Sequence, residues 1–190
     1  MGEVEGQIRS EELDAEREAR RRAALSLVRQ YPDPVLRMKA NEVGDFDESV
    51  AGLVERMTLL MDEARGVGLA APQLGVLRRI LVYRKAEEEP VVALVNPRVV
   101  STGEEVEAAD EGCLSLGAAT VVVEVERPTA LKIEASSPEG EPISIEAEGL
   151  EARVIQHELD HLDGVLIIDR TTPEQRRAAL AQLRPQPVLG

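Results

Sequence analysis

Both histidines of the chain fall within one five-residue stretch, His157-Glu158-Leu159-Asp160-His161, and no other feature constrains the fold as much. Residues four apart share a helix face. If the stretch is helical, both imidazoles reach a single metal ion, and Glu158 stands beside the first ligand where a general base is needed. Val154, Ile155, Leu159 and Leu162 give the segment an apolar side. The pattern predicts a helix over about Leu150 to Leu162, packed into the body of the protein and closed by Asp163-Gly164.

A catalytic metal of this kind needs a third protein ligand and an open position. No third histidine exists, and the only cysteine lies upstream, in Glu111-Gly112-Cys113-Leu114-Ser115. A lone cysteine is by default a small buried apolar residue. Its neighbours favour a ligand: Gly112 lets backbone approach closely, and Glu111 is an acid able to orient a ligating imidazole. A third element, Gly66-Val67-Gly68-Leu69-Ala70-Ala71-Pro72-Gln73, is weak evidence alone and reads equally as a tight turn. It is no dinucleotide fingerprint, because it follows a helix and lacks the third glycine. It does offer a substrate a flexible backbone edge and the Gln73 amide.

The remaining pattern places these segments. A charged helix is expected from about Ser10 to Gln30, stopped by Tyr31-Pro32-Asp33-Pro34. Apolar positions from Val50 to Ala64 recur at helical steps, giving a helix over Asp47 to Arg65 that Gly66 ends. Strands are expected over Arg79 to Arg84, Val91 to Val95, Val121 to Glu126, Ala130 to Ala135 and Pro142 to Glu148. A last helix runs from Pro173 to about Leu183, with Thr172 as N-cap. The class is α+β: antiparallel sheets packed around a central HExxH helix, with N- and C-terminal helices. The chain divides into a charged helical arm over 1–29, a catalytic domain over 30–170, and a C-terminal helix and tail over 171–190.

Composition removes several classes of function. With no Trp, one Phe and two Tyr, the core must be aliphatic and an aromatic platform for bases is missing. A net charge of −14 opposes DNA or RNA binding by the whole surface, so specific DNA binding is not expected. No apolar run reaches the roughly 20 residues needed to cross a bilayer. The charged N-terminus lacks a signal-peptide core, and one cysteine allows no internal disulfide. These features predict a cytoplasmic protein without a membrane partner.

Taken in order, the three segments resemble peptide deformylases: GxGxAAxQ at Gly66 to Gln73, EGCLS at Glu111 to Ser115, and QHExDH at Gln156 to His161. The resemblance covers about Gln30 to Arg170, including Pro34-Val35-Leu36-Arg37. It implies a hydrolase that removes the N-formyl group from formyl-methionyl nascent peptides, releasing formate. It further implies one divalent metal per chain held by Cys113, His157 and His161. Fe(II) is the family's usual metal, with zinc, nickel or cobalt able to replace it. Glu158 would be the general base, with Gln73 and the Leu114 amide as oxyanion donors. Gly66 and Gly68 would contact the substrate backbone, and Val67, Leu150 and Val154 would wall the methionine pocket. These apolar residues also read as ordinary core.

The sequence departs from the family at Leu116-Gly117-Ala118-Ala119-Thr120, where proline and glycine are usual, and Arg127 lies about two residues farther from the cysteine than usual. Two rival functions use parts of the same pattern. A zinc endopeptidase would need a third ligand other than Cys113, and a non-catalytic N-terminus binder would be signalled by loss of a ligand, Glu158 or Gln73. All are present. The ribosome is a candidate partner through Arg176, Arg177 and Arg184, which also read as a solvated helix face.

Overall fold

The computed structural model describes residues 2–86 and 88–184, with side chains from Asp14 onward. Among the described residues four α-helices and seven strands form in chain order: α1 (Gly2–Leu27), α2 (Glu48–Glu63), β1 (Gly68–Ala70), β2 (Ile80–Tyr83), β3 (Val92–Thr102), β4 (Val106–Gly112), β5 (Val122–Pro128), β6 (Ala130–Ser136), β7 (Pro142–Glu148), α3 (Gly149–Leu162) and α4 (Pro173–Gln182). The architecture is α+β, as the residue pattern predicts.

Five strands make one antiparallel sheet in the order β1-β2-β3-β6-β7, and β4 pairs with β5 in a separate ribbon. Between them lies α3, which buries Ala152, Val154, Ile155, Leu159 and Leu162. Ala152, Ile155 and Leu162 join Leu81, Tyr83, Leu94 and Ile133 of the sheet in one aliphatic core. A second core forms where Val50, Leu53, Met57 and Met61 of α2 meet Ile80 and Val82. Ala24 and Val28 pack into the same core, so the end of the N-terminal arm is docked.

The helix ends explain how the motifs are aimed. Asp47 caps α2, its side chain accepting from the Ser49 amide at 2.9 Å. At the other end the helix closes differently from the expected stop at Gly66: the left-handed residue is Arg65, with φ of 57°. The Arg65 amide donates to Asp62 (3.0 Å) and the Gly66 amide to Met61 (2.8 Å). This two-bond closure sets the left-handed turn one residue before the one that reaches farthest back. Gly66 is small for a different reason, since a Cβ there would lie 3.1 Å from Leu114 Cδ1. The end of α3 does match expectation, with Gly164 left-handed at φ 73° and the Val165 amide donating to Asp160 at 2.8 Å. Thr172 caps α4 by accepting from the Gln175 amide.

Two strands went unread in the sequence. β4, Val-Glu-Ala-Ala-Asp-Glu-Gly, is acidic and mostly exposed, with no apolar alternation to reveal it, yet it pairs with β5 from Val106↔Pro128 to Gly112↔Val122. β1 spans three residues, too short for a period, and gives the glycine motif a fixed place at the sheet edge instead of a flexible loop. β3 runs on past Val95 to Thr102 through register shifts at Val95/Arg98 and Val99/Ser101, beside Asn96 at φ 53°.

Candidate metal centre

The second half of α3 carries His157 and His161 to the end of β4, where the chain leaves the ribbon at Cys113. Cys113 Sγ lies 3.3 Å from His161 Nε2. The ligand atoms of Cys113, His157 and His161 all fall within 4.8 Å of one another. Tetrahedral bonds of ~2.3 Å to sulfur and ~2.1 Å to nitrogen would separate two ligand atoms by about 3.6 Å, so the donor set fits a metal. Cys113 and His161 are buried, which favours a structured site over a surface cluster.

Behind these three side chains stands a buried ionic network. Glu111 Oε2 is 2.9 Å from His157 Nδ1, an arrangement that leaves Nε2 of His157 free for a metal. Arg127 grips Glu111 with Nε at 2.6 Å and Nη2 at 2.9 Å, and reaches Asp160 with Nη1 at 2.9 Å. Arg153 adds a bond to Glu111 at 2.9 Å, and Arg170 binds the far side of Asp160 at 2.6 Å. Burial pushes the Glu111 carboxyl up, but the bonds from Arg127 and His157 outweigh it and hold the carboxyl at about 2. For His157, burial is outweighed by the neighbouring Cys113 sulfur and the Glu111 carboxylate, which hold the imidazole above its usual range. A metal held there would displace a proton. Burial, aided by His157 and Arg127, keeps His161 well below the usual range, neutral as a ligand must be.

Glu158 is buried, and its Oε2 has no hydrogen-bond partner among the described residues. Burial raises its carboxyl to about 7. A bound cation acts in the opposite direction. Its other oxygen packs on Gly68, where a Cβ would come within 2.4 Å of Oε1. Only glycine at this position leaves the carboxylate its place. Gln73 is fixed on both ends of its amide: Oε1 accepts from the Ala70 amide at 2.9 Å, and Nε2 donates to Ser115 Oγ at 3.1 Å and lies 3.9 Å from Cys113 Sγ.

A cavity of about 280 Å³ opens onto these groups and is lined by Gly66, Val67, Gly68, Leu114, Leu150 and Val154 among others. Val154 is buried in its wall, whereas Val67 and Leu150 are 57% and 65% exposed and form the rim. The core reading of Val67 and Leu150 is therefore set aside.

Several residues that build the site were not singled out in the sequence. Gln30 spans the ligand loop, its Nε2 donating to the Leu114 carbonyl at 2.8 Å and its Oε1 accepting from the Ala118 amide at 3.1 Å. The unusual stretch after Ser115 has Gly117, Ala118 and Ala119 all left-handed, folded back so that Leu116 and Ala119 both donate to the Cys113 carbonyl. Asp160 and Arg153 carried a readable signal. Asp160 is a charge among the buried positions of α3, and Arg153 sits one helix turn before His157 on the same face.

Comparison with known proteins adds an independent line. The family profile described as Polypeptide deformylase matches residues 25–177. Peptide deformylase 1 of Corynebacterium efficiens is 45% identical over 159 residues, which is 83% of this chain and 93% of that protein. The crystal structure of peptide deformylase from Thermotoga maritima is 44% identical, with a TM-score of 0.73 over 77% of this chain and 97% of that one. The peptide deformylase of Synechococcus elongatus, solved in complex with actinonin, is 35% identical, with a TM-score of 0.77 over 84% and 91% of the two chains.

Proposed function

The chain belongs to the polypeptide deformylase family, and on that premise we propose which of its residues carry the reaction. Like its family, it is a metal-dependent hydrolase that removes the N-formyl group from newly synthesised proteins. The observation that carries the assignment of residues is a single convergence. Cys113 from the end of β4 meets His157 and His161 of α3, beside the buried and unpartnered Glu158 carboxylate.

Cys113, His157 and His161 would hold the metal, Fe(II) by the usage of the family, though the ligand set itself accepts zinc, nickel or cobalt. When bound, such an ion supplies Lewis acidity, lowering the pKa of water toward neutrality and polarising the formyl carbonyl. Glu158 takes one proton from the attacking water, whose oxygen bonds to the formyl carbon. As the carbon–nitrogen bond breaks, Glu158 passes that proton to the departing methionine amine, and formate leaves. Gln73 Nε2 and the Leu114 amide are the donors for the oxygen that becomes negative, the first held in place by Ser115 and Ala70. Gly66 and Gly68 bring backbone to the substrate, and Val67, Leu150 and Val154 surround the methionine side chain. Within the chain, 30–170 is the catalytic unit, flanked by the arm over 1–29 and the helix and tail over 171–190.

The test is formate release from formyl-Met-Ala-Ser by protein purified without oxygen, with metal assayed in parallel. Release should scale with bound Fe(II), vanish on chelation and return on adding Fe(II). A folded, Fe(II)-loaded sample that releases none would overturn the assignment.

Nascent chains as substrates support a cytoplasmic enzyme that works near ribosomes. No helix among the described residues is long and apolar enough to cross a membrane, and the net charge of −14 opposes DNA binding. Arg176, Arg177 and Arg184 are the groups that would meet ribosomal RNA. Arg176 and Arg177 already face Asp169 (3.4 Å) and Glu174 (3.3 Å), and phosphate would have to displace those acids. Alanine at all three positions should weaken co-sedimentation with ribosomes at low salt; an unchanged pellet would remove the contact.

A further inference from the structure

The metal pocket is one lobe of a longer groove. A second cavity of about 390 Å³ shares Arg65, Gly66, Val67 and Leu150 with it and continues to Arg84 and Lys85. Three cations therefore line the path away from the metal, and their pairing differs. Arg84 is held by Asp62 at 3.0 Å, and Lys85 by Glu151 at 3.0 Å. Arg65 makes no ion pair or side-chain hydrogen bond with any described residue, although the chain carries 36 acids against 22 basic residues. Arg65 is exposed and lines both lobes.

The backbone at this point makes an arginine the less expected choice. Arg65 occupies the left-handed turn that ends α2, at φ 57°, where glycine or asparagine fits without the steric cost a longer side chain brings. That conformation fixes where the side chain starts. It leaves α2 at the mouth of the groove, one residue before the Gly66–Gly68 edge that brings backbone to the substrate. A strained residue carrying an uncompensated charge beside a site is a signal of function.

We propose that Arg65 selects peptides with an acidic side chain at one of the two positions following the formyl-methionine. The inference rests on the site assignment above. A peptide whose methionine fills the metal lobe must carry its next residues over the boundary that Arg65 occupies. A carboxylate there meets the cation of the groove that has no acid of its own among the described residues, and a lysine meets repulsion. Asp62 on the second lobe is held by Arg84, so among the described residues the exposed unpaired acid of the lining is Asp110 in the metal lobe, and Arg65 is the unpaired cation where the two lobes meet.

The test uses the Fe(II)-loaded enzyme and C-terminally amidated peptides, so that a terminal carboxylate cannot stand in for a side chain. The peptides are formyl-Met-Ala-Ser, formyl-Met-Glu-Ser, formyl-Met-Ala-Glu and formyl-Met-Lys-Ser amides. At low salt the wild type should show kcat/KM about two- to fivefold higher for at least one glutamate peptide than for the neutral one, the range expected of an exposed charge pair. The advantage should shrink with added salt. Each enzyme is scored by its own ratio of acidic to neutral peptide, so a general change in rate cancels. Arg65→Ala should bring that ratio to about one, and Arg65→Glu should invert it in favour of the lysine peptide. A wild-type ratio of one or less, or a ratio unmoved in Arg65→Glu, would overturn the proposal. Turnover of none of the peptides by folded, loaded enzyme would overturn the site assignment, and the selectivity with it.

Discussion

Glu158→Gln should release formate at least about a thousandfold more slowly than the parent while keeping its metal. The substitution preserves the side chain's volume and its packing on Gly68, where there is no room for a larger neighbour. It removes the one group that both accepts a proton from water and returns it to the amine. General acid–base catalysis by one residue contributes about 10²- to 10⁴-fold, and here one residue serves both proton transfers. The loss should lie in kcat, because Glu158 does not line the methionine rim. Metal stoichiometry separates this outcome from trivial failure: Glu158→Gln keeps its ion, whereas Cys113→Ala, stripped of the only sulfur ligand, should lose both ion and activity. Full activity in Glu158→Gln would assign the proton transfers to another group.

How much of this could be read beforehand follows from the kind of signal each residue leaves. The candidate ligands and base were legible because chemistry demands rare residue types at fixed spacing, and the chain has two histidines and one cysteine to place. The helices were legible because α2 and α3 each bury one face and so keep a period. β4 was hidden because a strand of a two-stranded ribbon with most residues exposed needs no apolar alternation. The turn at Arg65 was assigned to Gly66 because glycine is the usual left-handed residue, and nothing in a sequence says that a close contact with Leu114 is what requires the glycine. Gln30 was invisible for a different reason. Its role depends on a contact across 84 positions of chain, and glutamine in a loop has no pattern to depart from.

Arg127→Ala should cost the fold about 3–5 kcal/mol, a large share of the roughly 5–15 kcal/mol that holds a domain together. Arg127 is 4% exposed and lies between Glu111 and Asp160, so its removal strands two buried carboxylates instead of opening a surface pair to water. Arg153 and Arg170 each retain one of them, which keeps the loss below that of two isolated charges. The acid limb of stability should shift as well. Glu111 falls from 4.5 to about 2 on folding, so its contribution, about 3 kcal/mol, is complete above pH ~4.5 and is lost as pH drops toward 2. Without Arg127 the folded carboxyl rises toward its ordinary value, and acid unfolding should begin at higher pH. Urea titrations at pH 7 and pH 4 measure both effects. Glu111→Gln provides the control, because it removes the charge that Arg127 neutralises. If the network acts as a unit, the double variant should be less destabilised than the two single losses added together. Strict additivity, or an Arg127→Ala protein as stable as the parent, would mean that Glu111 and Asp160 are held by Arg153 and Arg170 alone.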